Sequence, residues 1–266
     1  MTTAGLDARI DRLCNLHYRD LPTEVISRTQ CILTDTVAVT AFGADAAPLL
    51  RMADAAPHCG PSTTFAPGLA ATTMESATLL NAAAAVWNEL DEGLRGAGHP
   101  AAHAVSAALA AAQHSQTTGR NLLTAVVAGY EMQAVLGHEF SLAHRVHPHG
   151  SFGAPAAALA AATALGLTST QRRSSVSIAA SMTPAALWEA CTEGTDVRHF
   201  YAGTGARAGV TAALLAAAGV NAPRDAIQLA FGEVLGKPSK RPPPPVVRPS
   251  RICEALAKLR LHTYHP

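Results

Sequence analysis

Glu89, Asp91, Glu92, Arg95, His99 and His103 crowd residues 89–103 of a chain otherwise rich in alanine and leucine. Two further stretches repeat the pattern. One holds His144, Arg145, His147 and His149, and the other holds Glu193, Asp196, Arg198, His199 and Tyr201. Imidazole titrates near neutral pH and suits proton transfer. The planar guanidinium of arginine binds a carboxylate through two parallel hydrogen bonds. A cleft that gathers these groups suits a carboxylate substrate that gains or loses a proton at carbon. His99, His147, His149, Asp91, Glu89, Arg198 and Tyr201 are the candidate residues of such a cleft.

Each residue also has a plainer reading. His99, before Pro100, can bridge or cap a turn, and His147 and His149 can belong to a surface loop around Pro148. His103, His114 and His138 read as helix-face or structural histidines. Asp91 and Glu92 in a glycine-rich loop read equally as solvated turn residues, and Arg198 as one half of a surface ion pair worth little. Histidine spacing in "HPH" and "HPAAH" offers nitrogen ligands, but Pro100 puts His99 at a helix start and no HExxH is present. No metal or cofactor is assigned.

The segments between these polar breaks must position them, and they read as helices. Alanine has the highest helix propensity and lets helices approach closely. Residues 5–20 carry Leu6, Ile10, Leu13 and His17 at helical spacing. Pro22-Thr23-Glu24 opens a second helix with Val25, Cys31, Ile32 and Val37. "APHCGPSTTFAPG" is a turn cluster or short extended piece. Residues 70–88 read as a buried helix. The glycines at 93, 96 and 98 and Pro100 keep the first polar stretch a loop. Helices follow on both sides of Gly119, which is expected to stop the first of them. A helix closes at Gly166, another starts at Thr168-Ser169-Thr170-Gln171, and residues 193–203 are expected to be a third break before the last helices. The expected fold class is all-α, over residues 1–236.

The chain has 266 residues, 48% of them hydrophobic and 15% charged, enough for one large domain or two small ones. The net charge of +1 hides an asymmetry. Residues 237–266 hold seven Lys or Arg and one acid, Glu254, so the tail is strongly basic and the body mildly acidic. An acidic body disfavours nucleic acid as a partner. Five scattered cysteines without a CxxC pair argue against a disulfide framework or a zinc site. The polar N-terminus carries no signal segment, and the alanine runs fall short of a membrane span. The expectation is a cytoplasmic protein with no membrane partner.

Taken in order, the pieces resemble the MmgE/PrpD family. They are "DLPTEVISRTQCILTDTVAVTAFGA", "NAAAAVWNELDEGLRGAGHPAAHAVSAALAAA", "GRNLLTAVVAGYEM", "HPHGSFGAPAAALAAATALGLTSTQ", "EGTDVRHFYAGTGARAGVTAALLAAAGV" and "AFGEVLG", spanning roughly residues 6–236. The family includes 2-methylcitrate dehydratase, cis-aconitate decarboxylase and iminodisuccinate epimerase. The resemblance implies a large helical domain and a smaller α+β lid domain. It also implies cofactor-independent work, usually as a dimer, and proton movement beside a carboxylate of a di- or tricarboxylic acid. On this resemblance His99 matches the histidine of the family's HP pair and Asp91 an acid of the preceding segment. His147 matches the second HP histidine. Glu89 falls where the decarboxylases have an aspartate, Gly93 where they have a threonine, and Arg198 where they place a substrate-binding lysine. The resemblance implies that His99 and His147 move protons or hold carboxylates, that Asp91 orients a histidine or acts as base, and that Arg198 anchors the substrate, with Glu89, His149 and Tyr201 as further substrate-binding residues.

The pattern breaks after Gly236, where the family's lid would soon begin. "KPSKRPPPPVVRPSR" holds four consecutive prolines and cannot be a helix interior. Residues 237–266 are expected to be a poorly ordered basic tail. One hypothesis is a shifted reading frame, tested by reading the coding DNA past codon 236. The alternatives are a one-domain member or one completed by a separate lid-domain chain. Two functions therefore stand side by side. One is a lyase or isomerase acting on a small polycarboxylate, expected as a homodimer. The other is a truncated, non-catalytic helical dimerisation or binding protein. Pro242–Pro245 also offers a polyproline ligand to another protein.

Overall fold

The computed structural model describes residues 3–241 and 251–255. The chain runs through α1 (Thr3–Cys14), α2 (Thr23–Gly43), α3 (Ala47–Asp54), α4 (Met74–Trp87), α5 (Pro100–Ser115) and α6 (Gly119–Glu139). The single turn α7 (Pro148–Ser151) leads into α8 (Gly153–Ala164), α9 (Ser169–Ser181), the short α10 (Glu189–Thr192) and α11 (Val197–Ala217). The last helix, α12 (Ala226–Leu229), continues as a π-helical turn over Ala230–Val234. Two antiparallel ladders complete it, β1 (Ser62–Thr63) with β2 (Ala71–Thr72), and β3 (Phe140–Leu142) with β4 (Gly236–Pro238). The fold is all-α, as the composition predicts.

The centre is α8, in which every residue is buried. A helix apolar on all sides belongs inside. Helices α5, α6, α9 and α11 pack around it. Small side chains make this closeness possible. A Cβ on Gly129 of α6 would come within 2.8 Å of both the Ala156 carbonyl oxygen and the Ala160 Cβ. Polar groups inside find local partners. Thr29, Thr36 and Thr40, buried on α2, each donate to the carbonyl four residues back, at 2.6, 2.8 and 2.6 Å. The inner face of α2 is therefore Val25, Thr29, Ile32, Thr36 and Thr40, while Cys31, read as part of an apolar face, is exposed.

Side-chain caps set several helix starts. Thr73 and Thr118 accept the amide hydrogens of Ser76 and Asn121 at the starts of α4 and α6. Thr168 and Gln171 form a capping box at the start of α9, as their spacing predicts. Gly119 does not stop α5. Gln116 takes the left-handed conformation that ends it, and the Thr118 cap makes Gly119 the first residue of α6. The third break is shorter than expected. Arg198, His199 and Tyr201 lie on the first turns of α11, because the chain resumes helical geometry at Val197 and its buried small residues pack on α8 and α4.

Two pieces of the basic tail lie against the body. Lys237 pairs with Ser141 across β3 and β4. Ile252 is fully buried, its amide donates to Glu131 Oε1 at 2.9 Å, and Arg28 donates to the Ala255 carbonyl at 2.6 Å. The expectation of poor order for residues 242–250, the proline run included, and 256–266 lies outside the described residues. No helix among the described residues is long and apolar enough to cross a membrane.

Candidate active site

The C-terminal end of α4 and the N-terminal ends of α5, α7 and α11 meet at one end of the bundle. There a cavity of about 230 Å3 is lined by Val86, Glu89, His99, His147, His149, Trp188, Cys191, Arg198 and His199. Five of the seven candidate residues read from the sequence line it. Asp91 reaches it through His99, and Tyr201 stands beside it.

His99 is the N-cap of α5, and Pro100 occupies the first helical position, where a missing N–H costs nothing. Its Nδ1 lies 2.6 Å from Asp91 Oδ2. Asp91 is 1% exposed, so it is not a solvated turn residue but a buried acid on a histidine. A carboxylate on Nδ1 keeps the proton there and leaves Nε2 as the basic nitrogen. Glu92, next to it, is also buried. Its Oε1 accepts the Ala101 amide at 2.7 Å and its Oε2 accepts the Tyr130 hydroxyl at 2.9 Å. Burial pushes its carboxyl up to about 7, against the pull of the Ala101 amide. Glu92 thereby ties the first turn of α5 to α6, beneath His99.

His147 has the opposite polarity. Its Nδ1 accepts the His149 amide at 3.3 Å, so the ring proton of the neutral form sits on Nε2. Burial holds its pKa down at about 4, with the neighbouring His99 acting in the same direction. Residues 186–188 run antiparallel to 145–147, with the His147 amide donating to Ala186 and the Trp188 amide to Arg145 at 2.8 and 2.9 Å. This pairing lays Trp188 over His147, ring centres 4.8 Å apart. His149 stands 4.5 Å from the rings of both His99 and His147. Fully buried His103 lies behind it, its Nδ1 3.0 Å from the His99 carbonyl oxygen. Burial lowers its pKa to about 4. The Tyr201 ring is 5.8 Å from that of His147.

Arg198 sits in the first turn of α11, where the helix dipole adds to its positive charge. Its Nη1 is 2.8 Å from Glu89 Oε1, while its Nε is buried without a hydrogen-bond partner among the described residues. Glu89 holds φ at +56°, a conformation that side chains other than those of Gly, Asn and Asp rarely adopt. His199 stacks on Trp87 with centres 4.4 Å apart, and burial lowers its pKa.

Sequence reasoning did not single out Trp188 and Cys191 as lining residues. Neither lies in a polar break with a proton-transfer group, and only the pairing of 186–188 with 145–147 brings this segment to the cavity. No set of three His, Cys, Asp or Glu side chains among the described residues is arranged to hold a metal ion.

A family model described as the MmgE/PrpD N-terminal domain matches residues 11–237. No curated protein matches the chain.

Proposed function

The chain belongs to the MmgE/PrpD family, and from that premise we propose that it moves a proton at a carbon next to a carboxylate of a small di- or tricarboxylic acid. The observation that carries this reading is the pair of histidines of opposite polarity in one cavity with Arg198. His99 offers a lone pair at Nε2, backed by Asp91, and His147 offers an N–H at Nε2. The unpartnered Nε of Arg198 supports its role as the anchor of a substrate carboxylate.

In this mechanism His99 Nε2 takes the proton, and the C–H electron pair moves into the anchored carboxylate to give an enediolate. Asp91 stabilises the imidazolium that forms. Arg198 and the neutral His147 N–H stabilise the developing oxyanion, which is worth most in a site with little water. The enediolate then expels a β-hydroxyl as water, using the proton held by His99, or is reprotonated at carbon to invert the centre. A second carboxylate on the same α-carbon, lost as carbon dioxide, would leave its C–C electron pair in the same enediolate, and His99 in its protonated form would return a proton to that carbon. The small cavity limits the reacting head group to a few carbons.

Proton NMR in D2O tests the reading, with 2-methylcitrate, cis-aconitate, citrate and iminodisuccinate and a His99→Ala control. Loss of a carbon-bound proton signal, or a new product, absent from the control, is expected. Folded protein that leaves all four acids unchanged would oppose it, and line broadening without exchange would favour a non-catalytic binding protein. We also propose a homodimer, supported by large exposed apolar side chains such as Phe42 and Val234, 65% and 77% exposed. A monodisperse monomer by light scattering would oppose that.

A further inference from the structure

His99 also lines a second cavity, of about 620 Å3. The two cavities share His99 and Trp188 as walls. The larger one is apolar at Phe140, Leu142 and Phe152 and cationic at Arg95 and Arg241. None of the described residues that line it is acidic. Arg95 and Arg241 form no ion pair among the described residues. Arg241, from the basic tail, is held there by its backbone and its head. β4 has just paired with β3, the Arg241 amide donates to Ser239 Oγ at 3.2 Å, and Nη1 donates to the Gly137 carbonyl at 3.3 Å. The guanidinium lies over Gly96, where a Cβ would come within 2.6 Å of Nη1. Gly96 has φ +84°, so a side chain there is disfavoured twice over.

A ligand whose head lies against His99 in the small cavity has, in the cavity that shares this wall, apolar surface and two guanidiniums without an ion-pair partner among the described residues. Apolar surface favours methylene groups in proportion to the area covered. Guanidinium groups favour a terminal carboxylate. We propose that this lobe receives a hydrocarbon arm and its distal carboxylate, so that the site also takes di- and tricarboxylic acids extended by an aliphatic arm. The inference rests on the reading of the small cavity as the carboxylate and proton-transfer site.

Isothermal titration calorimetry of the full chain tests it with succinate, 2-hexylsuccinate and 2-(5-carboxypentyl)succinate. The hexyl arm is expected to tighten binding about tenfold over succinate, and the terminal carboxylate to add several-fold more. The double variant Arg95→Ala, Arg241→Ala should abolish the gain from the terminal carboxylate and leave succinate binding unchanged. Both residues are exposed, so the variant is expected to fold. If succinate binds in an Arg198-dependent way but neither arm adds affinity, the lobe proposal is overturned and the small-cavity reading stands. The proposal is equally overturned if the terminal carboxylate helps to the same extent in the double variant. Long-armed acids that depend on Arg95 and Arg241 but not on Arg198 would leave the lobe as an anion site and remove it from the proposed reaction. If no probe binds, both readings fail.

Discussion

Asp91 and His99 are eight residues apart in sequence and 2.6 Å apart in space, carboxylate Oδ2 to imidazole Nδ1, with the acid buried and the ring on a cavity wall. That direction matters. The buried partner fixes which ring nitrogen carries the proton, and the other nitrogen is the one available to a ligand. Asp91 is thus a positioning residue, and it gives the most direct test of the proposed chemistry. Asp91→Asn keeps the shape and removes the charge that favours a proton on Nδ1. Proton exchange in D2O should slow by about 10²–10⁴-fold with little change in KM. An unchanged rate in folded protein would remove His99 from the role of base.

Arg198 predicts a different signature. Arg198→Ala should raise KM for the acid about 10–100-fold, the effect of losing a hydrogen bond to a charged group. Arg198→Lys should recover only part of this, because an ammonium cannot reproduce the two-point fork. Steady-state kinetics across the three proteins would show it, and an alanine variant with wild-type KM would count against the anchor.

Gly153 opens α8 directly against the fully buried His103 ring, and a Cβ there would overlap the imidazole. Gly153→Ala should therefore cost about 1–3 kcal/mol of stability and shift the histidine group around His149. The midpoint of urea unfolding measures the first effect and histidine ring NMR shifts the second. A variant as stable as the parent would mean that this packing yields more easily than the geometry indicates.

Glu92 predicts a slope with pH. Its folded pKa is raised by burial from 4.5 to about 7, so in that window the folded state holds a proton that the unfolded state releases. Its contribution is complete below about 4.5 and is lost as pH rises towards 7. His103 and His147, lowered from 6.5 to about 4, act in the opposite sense, with stability lost as pH falls through that range. Comparing wild type with Glu92→Gln cancels the histidine terms. The wild type should lose stability relative to the variant as pH rises from 4.5 to 7, read by thermal unfolding at several pH values. A constant difference would show that the folded carboxyl titrates normally.

Glu131 Oε1 accepts the Ile252 amide at 2.9 Å, and burial raises its pKa to about 7. Glu131→Ala should leave that amide unsatisfied and loosen residues 251–255 by about 1–3 kcal/mol. Hydrogen exchange at Ile252 should accelerate accordingly while the amides of α8 stay protected. Unchanged protection at Ile252 would show that the apolar burial of its side chain alone holds the segment.

The helices were legible in the sequence because their signals are local. Alanine content, the Thr168–Gln171 box and the glycine-rich loop before Pro100 act within a few residues of themselves. The places where the sequence reading erred are those where two local signals compete or distant packing decides. Gly119 looked like a stop, yet Gln116 ended the helix and the Thr118 cap restarted it. Residues 197–201 looked like a loop because they are polar, but α11 buries its small face on α4 and α8 while Arg198 and Tyr201 project from it. The polar residues of the site were legible too, since charged and imidazole side chains stand out in an alanine-rich chain.

By itself, then, the sequence determined an all-α domain of the MmgE/PrpD family and the three stretches that carry its acids, arginines and histidines. Tertiary structure alone decided that Asp91 is buried on His99 and that His147 points its Nδ1 at an amide. It also brought Trp188 and Cys191 to the same cavity, and Arg241 to the second cavity that His99 lines. The reason is range. Propensity and capping depend on neighbours along the chain, whereas proton placement, pKa and cavity shape depend on what burial and packing bring together from distant helices.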